Sequence, residues 1–263
     1  MAFDELLSEL RPGATAQVSG IGRGYGGPPA RSVTVTSGLT RLRCASLLKP
    51  LYAWAAAAHV ADQGRWRRHA EPAVVVSSNA DTLALWLSVG PRVILDDLHR
   101  RTGVRWTAPN GDPSRFGSVE VTAAEAATAY AVFAQAALAG DPVADEILGW
   151  MRRVGPDQAF GVREALSAPD AAVKCGWYGG ADEVWLRTHA VAVLPRGGRV
   201  GVVVGLTAQP YTDEREREVY QARVAEGLPV EEQHEKAGGA LLRGLMRTAL
   251  AELGDHRDPG PQD

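Results

Sequence analysis

Apolar residues recur every three or four positions along much of the chain, the spacing that places them on one face of a helix. At 122–139 this pattern starts with a threonine followed three residues later by a glutamate, an arrangement typical of a helix N-terminus. Residues 62–72 carry several arginines and indicate an exposed connection instead. The spacing predicts helices over 3–10, 46–61, 81–87, 92–101, 122–139, 141–153, 156–166 and 237–253.

Shorter runs typical of strands occur near the two ends of the chain. A glycine-rich turn at 22–29 separates the first two, and three more arrive together after residue 170. Because strands at both ends enclose a helical middle, the sheet must combine N-terminal and C-terminal segments. We therefore expect an α+β fold, with one discontinuous lobe formed by 1–40 and 170–263 and an all-helical lobe formed by 41–169. The predicted strands are 14–21, 32–37, 171–177, 184–194 and 200–207.

Two C-terminal segments stand apart from this pattern. Residues 212–236 are densely charged and form an insertion between the last strand and the last helix. A solvated charged helix explains them most simply, and a lid or a subunit contact is the more specific alternative. Residues 254–263 are predicted to be a disordered tail.

Composition excludes several classes of partner. The 263 residues contain 28 lysines and arginines against 31 aspartates and glutamates, a net charge of −3, whereas a nucleic-acid-binding domain carries a basic excess. No apolar run approaches the roughly 20 residues needed to span a bilayer. The first ten residues are acidic and amphipathic and so unlike a secretory signal. We expect a cytoplasmic protein that binds neither nucleic acid nor membrane; its oligomeric state is not predicted.

Cysteine and histidine content predicts neither a metal site nor a disulfide framework. Cys44 and Cys175 are the two cysteines, and the six histidines show no ligand spacing. A bridge between the two cysteines is unfavourable in a reduced cytoplasm. Neither a metal nor a cofactor is predicted.

Lysine is rare in this chain, which draws attention to the first candidate motif. Of the 28 basic residues only Lys49, Lys174 and Lys236 are lysines. Lys49 stands three residues after Ser46 at the start of a predicted helix, so both side chains face the same way. A neutral lysine can take the proton of a serine if burial or a nearby cation lowers its pKa. The alternative is a serine helix cap followed by a surface lysine.

Two further motifs follow along the chain. Ser77-Ser78-Asn79 closes an apolar run and precedes a helix, where serine also serves as a cap. Lys174-Cys175-Gly176-Trp177 places a lysine inside a predicted strand, which is costly unless the amine meets a polar partner. An edge-strand lysine that prevents strand pairing is the alternative.

In the order S-x-x-K, S-x-N and K-x-G, the three motifs resemble the serine β-lactamase and penicillin-binding-protein superfamily, class A β-lactamases most closely. The resemblance covers most of residues 14–210. It includes Lys174 to Gly180 with the strands that follow, Arg105-Trp106 at the start of an Ω-loop, and Gly111-Asp112 with Arg115 at its end. It implies a β-lactamase/transpeptidase-like fold, with a five-stranded antiparallel sheet, flanking helices and an all-helical lobe.

The resemblance also implies roles. Ser46 would be acylated, with Lys49 as its base. Ser77 would pass a proton to the leaving group, supported by the charge of Lys174. Asn79 would orient the substrate amide and hold Lys49. The backbone N–H groups of Ser46 and Trp177 would form the oxyanion hole, and substrate contacts would come from Cys175, Gly176, Trp177 and Thr107.

Three departures from the class A pattern narrow the function. Thr107 stands where those enzymes place the glutamate that activates the deacylating water, so fast deacylation is not expected. Cys175 replaces a hydroxyl residue that binds the substrate carboxylate, and a thiol is a weaker donor. Ser46 and Ser77 are only 31 residues apart, which predicts a trimmed helical lobe and an open cleft.

We therefore predict a β-lactamase-like serine hydrolase or acyltransferase that works through an acyl-enzyme on Ser46. Its acyl donor would be a small molecule or peptide, an ester or an amide, and its role intracellular and biosynthetic. One alternative is a true β-lactamase that lacks its signal peptide. The other is a non-catalytic ligand-binding protein on the same scaffold.

Overall fold

The computed structural model describes residues 2–24, 29–109, 111–179, 185–196 and 199–254. The proposed tip of the glycine-rich turn at 25–28 lies outside this range, as does the tail from 255 onward. The strands are β1 Thr15–Gly24, β2 Pro29–Ser37, β3 Leu42–Arg43, β4 Glu120–Val121, β5 Ala172–Tyr178, β6 Trp185–Arg196 and β7 Arg199–Pro210. The α-helices are α1 Phe3–Ser8, α2 Lys49–Ala57, α3 Gln63–Val75, α4 Asn79–Val89, α5 Pro91–Thr102, α6 Ala123–Leu138, α7 Pro142–Arg152, α8 Pro156–Ala159, α9 Val162–Ala165, α10 Glu214–Ala225, α11 Glu231–His234 and α12 Ala240–Gly254.

Five strands form one antiparallel sheet in the order β2-β1-β7-β6-β5. The first strand of the chain therefore pairs with the last, which confirms that the sheet joins the two ends of the sequence. One face packs on the helical lobe, and the other face packs on α12 through residues such as Val203 and Met246. β5, with neighbours on one side only, is an edge strand, and its free edge is available to line a site.

The buried helix α2 forms the centre of the helical lobe. Every residue of α2 is buried, and α3, α4, α5, α6 and α7 surround it. Two side chains from neighbouring helices fix its position. The indole of Trp54 donates to Asp141 Oδ2 at 3.0 Å, and the Tyr130 hydroxyl donates to the Leu47 carbonyl at 2.5 Å, just before α2 begins. The turn that carries Ser46 is thus attached to the rigid part of the lobe.

The predicted exposed connection at 62–72 is wrong, because these residues begin α3. Asp62 caps the helix by accepting from the Gly64 and Arg65 nitrogens. Trp66 is fully buried, donates from its indole to the Ala53 carbonyl at 2.9 Å, and packs on Trp150. The arginines that suggested a loop occupy the outer face. The apolar stripe of Trp66, Ala70 and Val74 has helical spacing, a signal that the surrounding charge obscured.

The charged insertion 212–236 is also attached to the sheet. It contains α10 and α11, and a π-helical turn at 235–239 leads on to α12. Buried His234 contacts the Tyr220 hydroxyl at 3.0 Å through Nε2 and the Thr188 hydroxyl at 3.3 Å through Nδ1. Thr188 lies on β6 opposite Trp177 of β5. α10 is a largely exposed charged helix whose buried residue is Tyr220, and the contacts of His234 connect the segment to β6. Its role as a lid or subunit contact stays a prediction.

Within the described parts of the chain, no helix is both long enough and apolar enough to cross a bilayer.

Replacing Trp66 tests the assignment of α3 to the core. We expect Trp66→Ala to lower the free energy of unfolding by about 3–5 kcal/mol, because it leaves a cavity and removes the indole hydrogen bond to the Ala53 carbonyl. Arg65→Ala, an exposed change one residue away, is the matched control and should cost under about 0.5 kcal/mol. Urea denaturation followed by circular dichroism measures both; equal effects would contradict the packing described here.

Candidate active site

Ser46 lies in a turn rather than inside a helix. The sequence predicts a helix from residue 46, whereas α2 begins at Lys49. The Ser46 carbonyl accepts from the Lys49 nitrogen at 3.3 Å. Ala45, directly before Ser46, has a φ of 49°, the left-handed region that non-glycine residues seldom adopt. This bend places a half-exposed Ser46 in the wall of a cleft, with Lys49 buried beneath it.

The second motif lies at the junction of α3 and α4. Ser78 caps α4, its hydroxyl accepting from the Asp81 nitrogen at 3.2 Å. Ser77 has a φ of 55°, a conformation that costs about 1–3 kcal/mol. The bend turns both the carbonyl and the hydroxyl of Ser77 toward Lys49, and Asn79 follows one residue into the helix. The same junction between α3 and α4 therefore contains both the helix cap predicted from the sequence, Ser78, and the polar groups of Ser77 and Asn79.

Two lysine amines converge on the Ser77 hydroxyl. Lys174 Nζ lies 2.9 Å from Ser77 Oγ and donates to the Cys175 carbonyl at 3.1 Å. Lys49 Nζ lies 3.3 Å from the same Oγ and donates to the Ser77 carbonyl at 2.5 Å and to Asn79 Oδ1 at 2.8 Å. The structure therefore brings Lys49, Ser77, Asn79 and Lys174 into one cluster, although they come from three motifs that are widely separated in the sequence. Ser46 lines the adjoining cleft.

Burial makes both amines easier to deprotonate. Desolvation lowers the pKa of Lys49 well below its usual value, and the positive charge of Lys174 lowers it further. Desolvation also lowers the pKa of Lys174, to about 8. The Phe116 ring centroid lies 5.4 Å from Lys49 Nζ and contributes to the apolar surroundings. Two like charges so near each other favour a state in which one amine is neutral, and a neutral amine is a base.

Gly176 lets the edge strand approach Ser46. A β-carbon at this position would lie 2.7 Å from the backbone nitrogens of both Ser46 and Leu47, closer than real contacts allow. Only glycine therefore fits here. Trp177 follows, half-buried, and lines the cleft beside Ser46. The backbone of β5 at Gly176 thus lies directly against the backbone nitrogens of the Ser46 turn. An oxyanion hole formed by Ser46 and Trp177 stays a prediction.

The cleft has a volume of about 470 Å³, in the range of small-molecule sites. Sequence reasoning missed part of its wall: the 3₁₀ turn Phe116–Ser118, which has no distinctive motif, and Glu231 of the charged insertion. The lining residues are Ala45, Ser46, Val76, Ser77, Asn79, Ser114, Arg115, Phe116, Gly117, Ser118, Gln158, Trp177, Tyr178 and Glu231.

Of the four predicted substrate contacts, Trp177 lines this cleft and the other three do not. Gly176 packs against the backbone of the Ser46 turn instead. The Cys175 side chain is fully buried in the core between the sheet and α12, and burial raises the pKa of its thiol to about 12. It therefore stays protonated and has no access to substrate. Thr107 is exposed, but it lines a neighbouring cavity. The sequence gives the position of each along the chain, but not the direction in which each side chain points.

Metal-ligating side chains do not cluster in the described ranges: no group of three or more His, Cys, Asp or Glu residues there is arranged to hold an ion. Both cysteines are buried free thiols in different core clusters, Cys44 with the helical lobe and Cys175 with α12.

An antiparallel five-stranded sheet with helices on both faces, and with its edge strand beside a helical lobe, defines a β-lactamase/transpeptidase-like fold. Comparison with solved structures confirms this fold. The chain superposes on PBP-A with a TM-score of 0.64, 16% identity and 96% coverage of both chains. It superposes on the TLA-3 extended-spectrum β-lactamase with a TM-score of 0.65 and 10% identity, over 95% of this chain and 97% of that one.

A β-lactamase from Streptosporangium roseum is similar in the same way, with a TM-score of 0.62 and 14% identity over 95% of this chain and 96% of the other. No family model matches the sequence, and no curated protein matches it. At such low identity the likeness establishes the fold, so the role of each residue depends on the geometry of this chain.

Charge coupling between the two buried amines is directly measurable, because the chain has only three lysines. We expect the pKa of Lys49 to rise in Lys174→Met, since that change removes a nearby positive charge. Nuclear magnetic resonance of protein with ¹³Cε-labelled lysine follows each amine through a pH titration. Lys236→Arg assigns the exposed third signal. An unchanged Lys49 titration in Lys174→Met would refute the coupling.

Proposed function

We propose that this protein is a serine hydrolase or acyltransferase that forms an acyl-enzyme on Ser46. One observation carries the proposal: Lys49 Nζ and Lys174 Nζ both lie within 3.3 Å of Ser77 Oγ, beneath a cleft whose wall contains Ser46. A non-catalytic binding protein has no need for two buried lysines, each of which carries a desolvation cost. The β-lactamase/transpeptidase-like fold supports the same chemistry.

Acylation begins with proton transfer from Ser46 to neutral Lys49. As Lys49 Nζ takes the proton, Ser46 Oγ bonds to the carbonyl carbon of the substrate, and backbone N–H groups of Ser46 and Trp177 stabilise the resulting oxyanion. Collapse of the tetrahedral intermediate breaks the bond to the leaving group. That group takes a proton from Ser77 Oγ, which Lys49 restores, so the serine proton reaches the leaving group.

Lys174 and Asn79 assist the proton transfers between Ser46, Lys49 and Ser77. The Lys174 charge lowers the pKa of Lys49 and stabilises negative charge that develops on Ser77 Oγ. Asn79 Oδ1 accepts from Lys49 Nζ at 2.8 Å, which holds the amine in place while the Asn79 amide faces the cleft.

Slow deacylation is the second part of the proposal. Thr107 does not line the cleft, and Glu231 of α11 is the carboxylate that does so among the described residues. Glu231 belongs to α11 of the charged insertion rather than to the segment that follows Arg105-Trp106. An acyl-enzyme without a base for water lasts long enough to meet another acceptor, which favours acyl transfer. A cytoplasmic, biosynthetic role stays a prediction.

Covalent labelling tests the nucleophile. One of the similar structures, a PBP-A mutant, is described as an acyl-enzyme complex with penicillin G. We expect intact-protein mass spectrometry of the wild type to show one added penicillin G or fluorophosphonate group. Ser46→Ala should show none, and Lys49→Ala should label about 10²–10⁴-fold more slowly, because the base is lost. Ser88→Ala, an exposed serine on α4, should label like the wild type. An adduct on Ser46→Ala would end the proposal.

Nitrocefin hydrolysis tests deacylation separately. Without a base for water we expect a burst of about one product per enzyme, followed by a steady rate about 10²–10⁴-fold slower. Stopped-flow absorbance measures both phases, and Ser46→Ala is the control that should lack the burst. Many rapid turnovers without a burst would instead identify the protein as a true β-lactamase.

A further inference from the structure

A buried histidine that takes no part in the proposed acylation contacts the segment that carries Ser46. His189 lies on β6 and is fully buried. Its Nε2 atom lies 3.0 Å from the carbonyl oxygen of Arg43, three residues before Ser46. Because a carbonyl oxygen can only accept a hydrogen bond, Nε2 carries the proton and donates it. Burial and the nearby charge of Arg187 lower the pKa of His189 to about 4, so the ring is neutral at pH 7.

The five-stranded sheet thus touches the Ser46 turn from two adjacent strands. His189 is paired directly with Gly176 of β5, and residues paired in this way face the same side of a sheet. At Gly176 the contact is steric, because the strand lies against the backbone nitrogens of the turn. At His189 the contact is a hydrogen bond to the start of the turn. Two such points fix both the distance and the direction of the turn, whereas a single point would let it rotate.

An apolar side chain would occupy the His189 position at a lower cost. The second ring nitrogen, Nδ1, is buried and has no hydrogen-bond partner among the described residues. An unpaired buried nitrogen is unfavourable, and a leucine of similar size would avoid it. A histidine that is retained at a cost, and that is bonded to the turn of the proposed nucleophile, indicates a role in the site rather than in folding.

We propose that His189 is a positioning residue for Ser46. Its Nε2–H holds the Arg43 carbonyl and thereby fixes the direction in which Ser46 enters the cleft. The inference rests on the proposed function for the chemistry of Ser46, while the attachment of the turn to the sheet is a property of the folded protein alone. Without the hydrogen bond the turn would shift, and a misplacement of about 1 Å is enough to slow a reaction about 10²-fold.

Three variants of His189 test this role through the nitrocefin burst. His189→Gln keeps a donor nitrogen the same number of bonds from the backbone as Nε2, His189→Asn has a polar group one bond too short, and His189→Leu has no donor. We expect the maximal burst rate to fall about 10–10²-fold in the asparagine and leucine variants, and to stay within about threefold of the wild type in His189→Gln. The nitrocefin concentration at half-maximal burst rate should change less than about twofold, because the cleft lining is unaltered.

Val193→Ala separates positioning from a general loss of stability. Val193 is buried four residues further along β6, on the same face as His189, and packs in the core of the helical lobe. Its truncation leaves a cavity and should lower the melting temperature without slowing the burst. His189→Leu should melt no earlier than Val193→Ala and yet react more slowly. If His189→Leu does not fold, the comparison of His189→Asn with His189→Gln decides.

Hydrogen exchange tests the attachment of the turn without any acylation. The Leu47 N–H donates to the Cys44 carbonyl at 3.0 Å within the turn. We expect this amide to exchange about tenfold or more faster in His189→Leu than in the wild type, and at the wild-type rate in His189→Gln, because a turn that is less firmly held opens more often. Nuclear magnetic resonance of ¹⁵N-labelled protein measures the exchange.

The outcomes distinguish this inference from the proposed function. Equal burst rates in the wild type and His189→Leu, a rescue by His189→Asn as complete as that by His189→Gln, or an equal slowing in Val193→Ala would each overturn the positioning role. A change confined to the half-maximal concentration would do the same, since it would indicate a role in substrate binding. If wild-type Ser46 does not react at all, the proposed function fails, and the Leu47 exchange rates alone then support or overturn the attachment through His189.

Discussion

The shared contact of two buried lysine amines with the Ser77 hydroxyl is the interaction on which the site depends. Lys49 comes from the helical lobe and Lys174 from the edge strand, so their meeting joins the two lobes at the base of the cleft. Each amine loses water on burial, and each repels the other when both are charged. The cluster tolerates this cost because carbonyl, amide and hydroxyl oxygens accept its protons, and because one amine can be neutral.

Several local departures from regular structure serve this cluster. Ala45 and Ser77 both adopt positive φ, which turns Ser46 into the cleft wall and Ser77 toward the two amines. Gly176 brings the edge strand against the Ser46 turn, where any side chain would collide with backbone. Strain at such positions persists because the surrounding packing fixes them, here the buried helix α2 and the capped start of α4.

The sequence motifs and the order of the predicted strands and helices predicted much of the fold. The resemblance carried by Ser46, Lys49, Ser77 and Lys174 predicted the fold. Strands at both ends of the chain, on either side of a helical middle, predicted that the two chain ends share a sheet, which the structure confirms. The local pattern was misleading where charged and apolar residues are interspersed. Around Trp66 the arginines obscure the helical spacing of the buried residues, so α3 was predicted to begin as an exposed loop. The turn at Phe116 carries no motif that indicates its place in the cleft wall.

The sequence by itself determined which chemical groups are present and the order in which they occur, because residue type and helical or strand spacing are local properties. Only the tertiary structure decided where the side chains point. It buries the Cys175 thiol on the face of the sheet that packs against α12, and it places Thr107 in a cavity next to the cleft. It also brings Glu231 from a charged insertion to the cleft. These outcomes depend on contacts between distant segments, which no local pattern encodes.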